Sequence, residues 1–273
     1  MRTLPDSWQY RAPSYRRRSR PVISLADTDW LWPVVLAPFV GSFLGVLATR
    51  LPVGGPVVAS RSVCDACGRR LGVAELIPLV SWLVLRGKCR TCRQPIDWLL
   101  PVLELAAIAV PLWAMLPEDA PPLWASVLLG WTLLALAAID VRHFILPDAL
   151  TLPLIPAGLG IAWLTEPDRL VADLYGAILG FLVLAGLRLA YRRLRGREGL
   201  GFGDVKLLAA AGAWVGWEGL PSVMAIAALS GLAAAALLSL KGERLTATTK
   251  LAFGPYLCLG LWLVWLYGPL ALG

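Results

Sequence analysis

The stretch "EGLGFGDVKLLAAAGAW", from Glu198 to Trp214, opens with glycines around one carboxylate and then becomes almost wholly apolar. After Glu198 its only charged residues are Asp204 and Lys206. An acid at the edge of an apolar span costs several kcal/mol and is a functional candidate by default. The stretch therefore indicates both a helix that enters a lipid bilayer and a carboxylate that needs an explanation.

The rest of the chain has the same apolar character. Hydrophobic residues make up 58% of its 273 residues, whereas soluble domains average roughly 45–50%. This excess is too large for one buried core, and the apolar runs are continuous rather than alternating. Because lipid leaves backbone groups without water, such runs must be helices. The sequence predicts an all-α polytopic membrane protein.

Eight apolar segments are marked as transmembrane helices, of which the sixth is short and is expected to be tilted or partly re-entrant. They cover residues 30–49, 98–116, 123–139, 145–165, 171–190, 205–217, 222–240 and 251–270. We therefore expect about eight transmembrane helices. The predicted division is a polar N-terminal tail (1–29), a first transmembrane helix (30–49), a loop domain (50–97) and a larger transmembrane domain (98–273).

The charged residues predict the orientation. The formal net charge is +7, and its basic residues concentrate in alternate connections, which the positive-inside rule places in the cytoplasm. Since no basic stripe lies outside the loops, we expect no nucleic-acid partner. Eight spans put both termini outside, although the Arg-rich tail should prefer the inside; the later basic loops outweigh it. The tail has no apolar core of a signal peptide.

The loop domain contains two cysteine pairs, in "SVCDACGRRLGVAELIPLVSWLVLRGKCRTC" (62–92). Each pair has two residues between its cysteines, and 21 residues separate the pairs. Two such turns complete a tetrahedral zinc site. The predicted ligands are Cys64, Cys67, Cys89 and Cys92.

A site of four cysteines is closed to water, so this zinc would fold the loop rather than catalyse. Disulfides are the alternative, but they suit an oxidising compartment rather than the cytoplasm. Within the loop, "AELIPLVSWLVL" (74–85) is too short to cross a bilayer and predicts an interfacial or packed helix. Cys258 stands alone and is expected to face lipid or to be packed.

Two carboxylates fall at predicted cytoplasmic helix ends: Asp140 ends the third segment and Asp204 opens the sixth. Two acids that share a site tend to hold one proton between them, and together they activate a water molecule. Gly201 and Gly203 would let a substrate backbone pass close to Asp204. Lys206 would stabilise its anion or only extend to the interface.

Other interpretations of these residues stay open. Asp204 and Asp148 are also suited to helix caps, and His143 has no neighbouring ligands for a metal site. The stretch "GLGFGDVK" lacks the third glycine of a dinucleotide-binding loop. A transporter would place acids near the middle of a span, where only Glu104 lies. A non-catalytic scaffold for the zinc loop is a third hypothesis.

Five stretches together resemble the type IV prepilin peptidase family, whose members trim leader peptides from pilins and from type II secretion pseudopilins. These stretches occur in the family's order over about residues 34–265. They are the two cysteine pairs with "ELIPLVSWLVLRGKC" between them, "GSFLGVLATRLP" (41–52), "IDVRHFILPDALTLPL" (139–154), "EGLGFGDVKLLAAAGAWVGW" (198–217) and "FGPYL" (253–257).

The resemblance implies an aspartic peptidase of the G-x-G-D type in the bacterial inner membrane, with its active site facing the cytoplasm. Its two catalytic aspartates correspond to Asp140 and Asp204, and Asp148, in the same motif as Asp140, is expected to support the site. The implied substrates are prepilins or pseudopilins within the lipid bilayer.

Family members often also methylate the new N-terminus with S-adenosylmethionine, and the cysteine loop is associated with that form. Gly87 and Lys88 of "RGKC", and then Glu75, are the candidates for the methyl-transfer site. The chain has Gly45 where the family usually has Asn, and Asp65 where it often has Pro. The first difference leaves in question any contact of that Asn, and with it methylation.

Overall fold

The computed structural model describes residues 28–57, 62–64, 66–196, 199–242 and 251–270. The predicted polar tail, apart from its last two residues, and Asp65 lie outside the described residues. Within the described ranges the chain is helical, with two isolated β-bridges and no named strand. The predicted all-α class is confirmed. The α-helices are α1 (Leu31–Arg50), α2 (Val80–Val84), α3 (Leu99–Ala114), α4 (Leu123–His143), α5 (Asp148–Thr165), α6 (Leu170–Arg195), α7 (Phe202–Leu240) and α8 (Gly254–Tyr267).

Five of the described helices, α1, α4, α5, α6 and α7, are long and apolar enough to cross a membrane. The shorter apolar helices are α3 and α8. The chain is thus a multi-pass membrane protein, but the predicted number of eight spans is not confirmed. The difference lies in the two short helices and in α7, which replaces the sixth and seventh predicted segments with one element of 39 residues.

A break divides α7 at Gly216, whose φ of 69° and ψ of 176° are not helical. The part after the break packs along α8 in the opposite direction. Gly260 lies against the Val223 backbone, while Gly231, further along α7, lies against Tyr256 near the start of α8. Because Asp140 also contacts the start of α8, α7 returns after the break towards the end where Asp204 lies.

Small residues allow the closest helix contacts. Gly176 of α6 meets the Gly212 backbone of α7, and Gly180 meets the Leu208 backbone one turn away. In lipid, helix association depends on such close packing because the apolar solvent supplies little driving force of its own. Large apolar side chains such as Phe39 and Leu182 are exposed, as expected for surfaces that face acyl chains.

The segment between α1 and α3 is compact but irregular. Two antiparallel bridges, Val63 with Arg70 and Lys88 with Pro95, close its two cysteine turns. The apolar stretch 74–85 forms a short 3-10 helix (Val73–Leu76) and α2, so it does not cross the membrane as a helix. An ion pair of 2.5 Å between Asp97 and Arg142 ties the end of this segment to the end of α4.

Candidate functional site

Asp140 lies in the last turn of α4 and is 5% exposed. Its carboxylate accepts a hydrogen bond of 2.9 Å from the backbone N–H of Gly254, the first residue of α8. The helix ends three residues later because Phe144 adopts a left-handed conformation, with φ of 55°. Asp140 is thus held at the contact between the end of α4 and the start of α8.

Asp204 lies in the first turn of α7 and is 8% exposed. The preceding Gly201 has an extended backbone, and its N–H interacts with the Asp204 carboxylate. The positive end of the helix dipole also favours a carboxylate at this position. The local sequence therefore explains the conformation of Asp204. Its neighbouring acid, Asp140, comes from another helix.

Leu146 packs against the residues that neighbour both acids. It lies against Gly203, next to Asp204, and against Gly254, which binds Asp140. A Cβ added at Gly203 would be 2.8 Å from the Leu146 Cβ. The two carboxylates also repel each other electrostatically. The structure thus brings together the two acids that the sequence singled out.

Two further residues of this site had no predicted role. Gly254 donates to Asp140, and buried Cys258 interacts electrostatically with both carboxylates. Cys258 was expected to face lipid or to be packed, and it is packed. The sequence signal for Gly254 was the stretch "FGPYL" (253–257), in which this glycine has no chemically distinctive side chain.

Lys206 and Asp148 form an ion pair of 2.6 Å. The Lys206 ammonium also lies 4.9 Å from the centre of the Phe202 ring, a distance at which cation–π attraction operates. The pair joins the first residue of α5 to the N-terminal part of α7. Both residues were predicted to support the site, and their contacts link the elements around it.

The four loop cysteines lie together, and their sulfur atoms are all within 4.8 Å of one another. Cys64 Sγ and Cys92 Sγ are 3.8 Å apart, which is too long for a disulfide bond. Tetrahedral ligands at about 2.3 Å from zinc would have sulfurs about 3.8 Å apart. The cluster could therefore hold a metal ion.

Backbone N–H groups favour the thiolate form of Cys89, the form that binds metals. The backbone N–H groups of Cys92 and Thr91, followed by contacts with the neighbouring thiols, lower the pKa of Cys89 to about 6. Metals bind the thiolate rather than the thiol. Cys89 is thus suited to coordination near neutral pH.

The candidates for methyl transfer have structural contacts within the same loop. Glu75 accepts hydrogen bonds from Arg69 at 2.5 Å and from the Gly72 N–H at 2.8 Å. Both hydrogen bonds lower the pKa of Glu75, and the bond from Arg69 has the larger effect. Gly87 is buried beside Trp82 with φ of 66°, and Lys88 is exposed.

Two other buried acids lie apart from the pair. Glu104 of α3 accepts a hydrogen bond of 2.7 Å from the Leu79 N–H. Asp173 of α6 lies near the break at Gly216. A Cβ added to Gly216 would be 3.1 Å from the Asp173 Oδ1. Glu104 and Asp173 therefore lie at separate sites, and neither is part of the carboxylate pair formed by Asp140 and Asp204.

Comparisons with known families match two parts of the chain. Residues 35–117 match the bacterial Peptidase A24 N-terminal domain. Residues 127–236 match the type IV leader peptidase family. The first match contains the four cysteines, and the second contains both buried acids of the pair.

Curated relatives match most of the chain, and several carry the name prepilin leader peptidase/N-methyltransferase. The one from Burkholderia pseudomallei (strain 1026b) is 40% identical over 94% of this chain and 92% of its own length. The one from Aeromonas hydrophila is 37% identical over 84% and 87%. The one from Dickeya chrysanthemi is 37% identical over 86% and 93%. No solved structure matches.

Proposed function

This chain belongs to the type IV leader peptidase family, and we propose that it is a membrane endopeptidase that removes leader peptides from type IV prepilins or pseudopilins. The observation that carries the proposal is the pairing of Asp140 and Asp204 where α4, α7 and α8 meet. The names of the relatives support the same activity. They do not support the transporter interpretation.

The proposed mechanism uses the two carboxylates as acid and base. The ionised carboxylate takes a proton from water, and the water oxygen attacks the carbonyl carbon of the scissile peptide bond. The protonated carboxylate donates to the carbonyl oxygen. The carbon–nitrogen bond then breaks, and a proton passes to the leaving nitrogen, which becomes the new N-terminus of the pilin.

The surroundings support this chemistry in three ways. Gly254 orients Asp140 through its N–H, and Gly201 leaves the backbone before Asp204 without a side chain, whereas Leu146 fills the space beside Gly203. The pair of Lys206 and Asp148 keeps the start of α5 against α7.

We propose that the loop domain (50–97) holds a structural zinc ion through Cys64, Cys67, Cys89 and Cys92. Bound zinc would fix the two cysteine turns to each other. The sulfur positions and the backbone donors around Cys89 fit this metal. A closed site of four sulfurs leaves no position for a reacting water, so the peptidase chemistry stays in the transmembrane domain (98–273).

The relatives' names also include N-methyltransferase. We propose that this chain transfers a methyl group from S-adenosylmethionine to the amine that cleavage exposes, and that this amine loses a proton. Gly87, Lys88 and Glu75 remain the proposed site residues. Their position in the cysteine loop supports this assignment, whereas their described contacts are those of loop packing.

The proposed location is the bacterial inner membrane, with the two acids facing the cytoplasm. The basic end of α6, with Arg192, Arg193 and Arg195, supports this orientation under the positive-inside rule. Asp140 and Asp204 lie at helix ends predicted to be on the same side. A substrate whose apolar helix lies in the bilayer would present its leader junction at this level.

The direct test is cleavage of a prepilin by the purified protein, followed by mass spectrometry of the product. Replacing Asp140 or Asp204 with Asn should abolish cleavage, whereas Asp119→Asn, in the connection before α4 and thus at the opposite end of that helix from Asp140, should cleave normally. A product heavier by one methyl group would show that the protein is also a methyltransferase. Normal cleavage by either Asn variant, inserted and folded, would contradict the proposed mechanism.

A further inference from the structure

The loop domain carries an exposed apolar surface around α2. Its large side chains are between 45% and 75% exposed. Contiguous apolar patches are uncommon on surfaces that face water and mark places where another apolar partner binds. We call this surface the apolar ridge, and it consists of Leu76, Ile77, Val80, Leu83 and Val84.

A hydrogen bond fixes the ridge to a membrane helix. The backbone N–H of Leu79, in the middle of the ridge, donates to the Glu104 carboxylate at 2.7 Å. The Ser42 hydroxyl of α1 also interacts with Glu104. Leu79 has a φ of 60°, which is uncommon for a leucine and persists only where surrounding contacts impose it. The attachment is therefore a specific feature of the fold.

The attachment lies within the apolar helix α3 rather than at its N-terminal end. Trp98 immediately precedes α3 and is 68% exposed, and exposed tryptophans are typical of membrane interfaces. Glu104 lies six residues further on, about 9 Å along the helix axis. The centre of the ridge is therefore deeper than the interface at which α3 begins.

Basic residues follow the ridge directly. They are exposed, and they lie between α2 and the second cysteine pair (Arg86, Lys88), within that pair (Arg90) and directly after it (Arg93). An apolar surface beside basic side chains is the pattern of segments that lie in a membrane interface, where the basic groups contact anionic headgroups. The charge therefore favours lipid as the occupant of the ridge.

We propose that the apolar ridge inserts among the acyl chains of the leaflet that α3 enters at its N-terminal end, and that the basic residues contact lipid phosphates. The loop domain is thereby held on the membrane by lipid as well as by Glu104. This inference does not depend on the peptidase activity. The other candidate occupant, an apolar substrate helix, would leave the ridge away from lipid when no substrate is present.

The test uses the full-length protein in nanodiscs that contain anionic lipid. A fluorescent non-canonical amino acid replaces Leu83 or, in a second protein, Val84, and nitroxides on the lipid acyl chains act as quenchers. Leu105, exposed on α3 beside Glu104, is the positive control. Exposed Arg70, in the first cysteine turn, is the negative control. No prepilin is present during the measurement.

We expect quenching at positions 83 and 84 to approach that at position 105, and little quenching at position 70. Quenching at both ridge positions as weak as at position 70 would overturn the proposal and leave the ridge for another partner. Each labelled protein is also assayed for prepilin cleavage. Strong quenching without cleavage would count against the proposed function alone, and cleavage without quenching would count against this inference alone.

Discussion

The Asp140 carboxylate accepts a hydrogen bond from the backbone N–H of Gly254, 114 residues further along the chain. This bond fixes one acid of the pair to the first residue of α8. Because Gly254 has no side chain, its backbone approaches the carboxylate closely. The orientation of Asp140 therefore depends on Gly254, a residue without a side chain.

Replacing Gly254 with Ala should impair cleavage strongly. The added Cβ would be 2.7 Å from the Asp140 Oδ2 and 3.1 Å from the Leu146 Cδ2, so the carboxylate or α8 must shift. We expect a fall in kcat/KM of about tenfold or more, equivalent to about 1.4 kcal/mol in the activation barrier. The control is Gly186→Ala in α6, where a Cβ meets open space. Equal activity of the two variants would argue against this role for Gly254.

The ion pair of Lys206 and Asp148 should make a smaller contribution. Asp148 has a side chain that is 57% exposed, and exposed pairs are worth less than about 1 kcal/mol. We expect Lys206→Met and Asp148→Asn each to lower thermal stability slightly and to retain cleavage. The exchanged double variant, Lys206→Asp with Asp148→Lys, should recover part of any loss. Complete inactivity of a folded Lys206→Met protein would instead indicate a direct catalytic role for this lysine.

Metal content should depend on the loop cysteines and not on Cys258. Replacing Cys89 with Ser removes a sulfur that lies within 4.8 Å of the other three. We expect Cys89→Ser to lose most of the bound zinc, measured by elemental analysis of the purified protein. Cys258→Ser, which changes a buried cysteine outside the cluster, should keep it. Equal zinc contents in the two variants would contradict the assignment.

Replacing Gly216 with Ala should destabilise the protein. Its φ of 69° and ψ of 176° lie in a region that is essentially restricted to glycine, so the expected cost is roughly 1–3 kcal/mol. Thermal unfolding in detergent measures the effect. Gly160→Ala in α5, where the added Cβ meets nothing within 4 Å, should be nearly neutral. A Gly216→Ala protein as stable as Gly160→Ala would show that the break in α7 tolerates a side chain.

Helix positions were largely predictable because membrane helices carry their signal locally. The predicted segment 98–116 became α3, and the segment 145–165 became α5, with bounds that differ by three residues at most. The number of spans was less predictable. Hydropathy marks apolar runs, but it does not show how the chain passes through Gly216 within α7.

The candidate site was predictable in part. Asp140 and Asp204 were singled out because acids are rare at the ends of apolar spans, and the cysteine spacing indicated a candidate metal site. Gly254 and Leu146 were not predicted because a glycine and a leucine are ordinary residues in an apolar chain. Their roles come from contacts between segments that are distant in the sequence.

The sequence by itself determined the all-helical membrane class, the pair of candidate acids and the four candidate metal-binding cysteines, because each depends on residue type and short-range spacing. Only the tertiary structure decided that α8 supplies a donor to Asp140 and that Lys206 pairs with Asp148. It also decided that Leu79 is attached to Glu104. These contacts depend on how helices pack side by side, and in lipid that packing is set by close backbone approach rather than by an apolar pattern along any one helix.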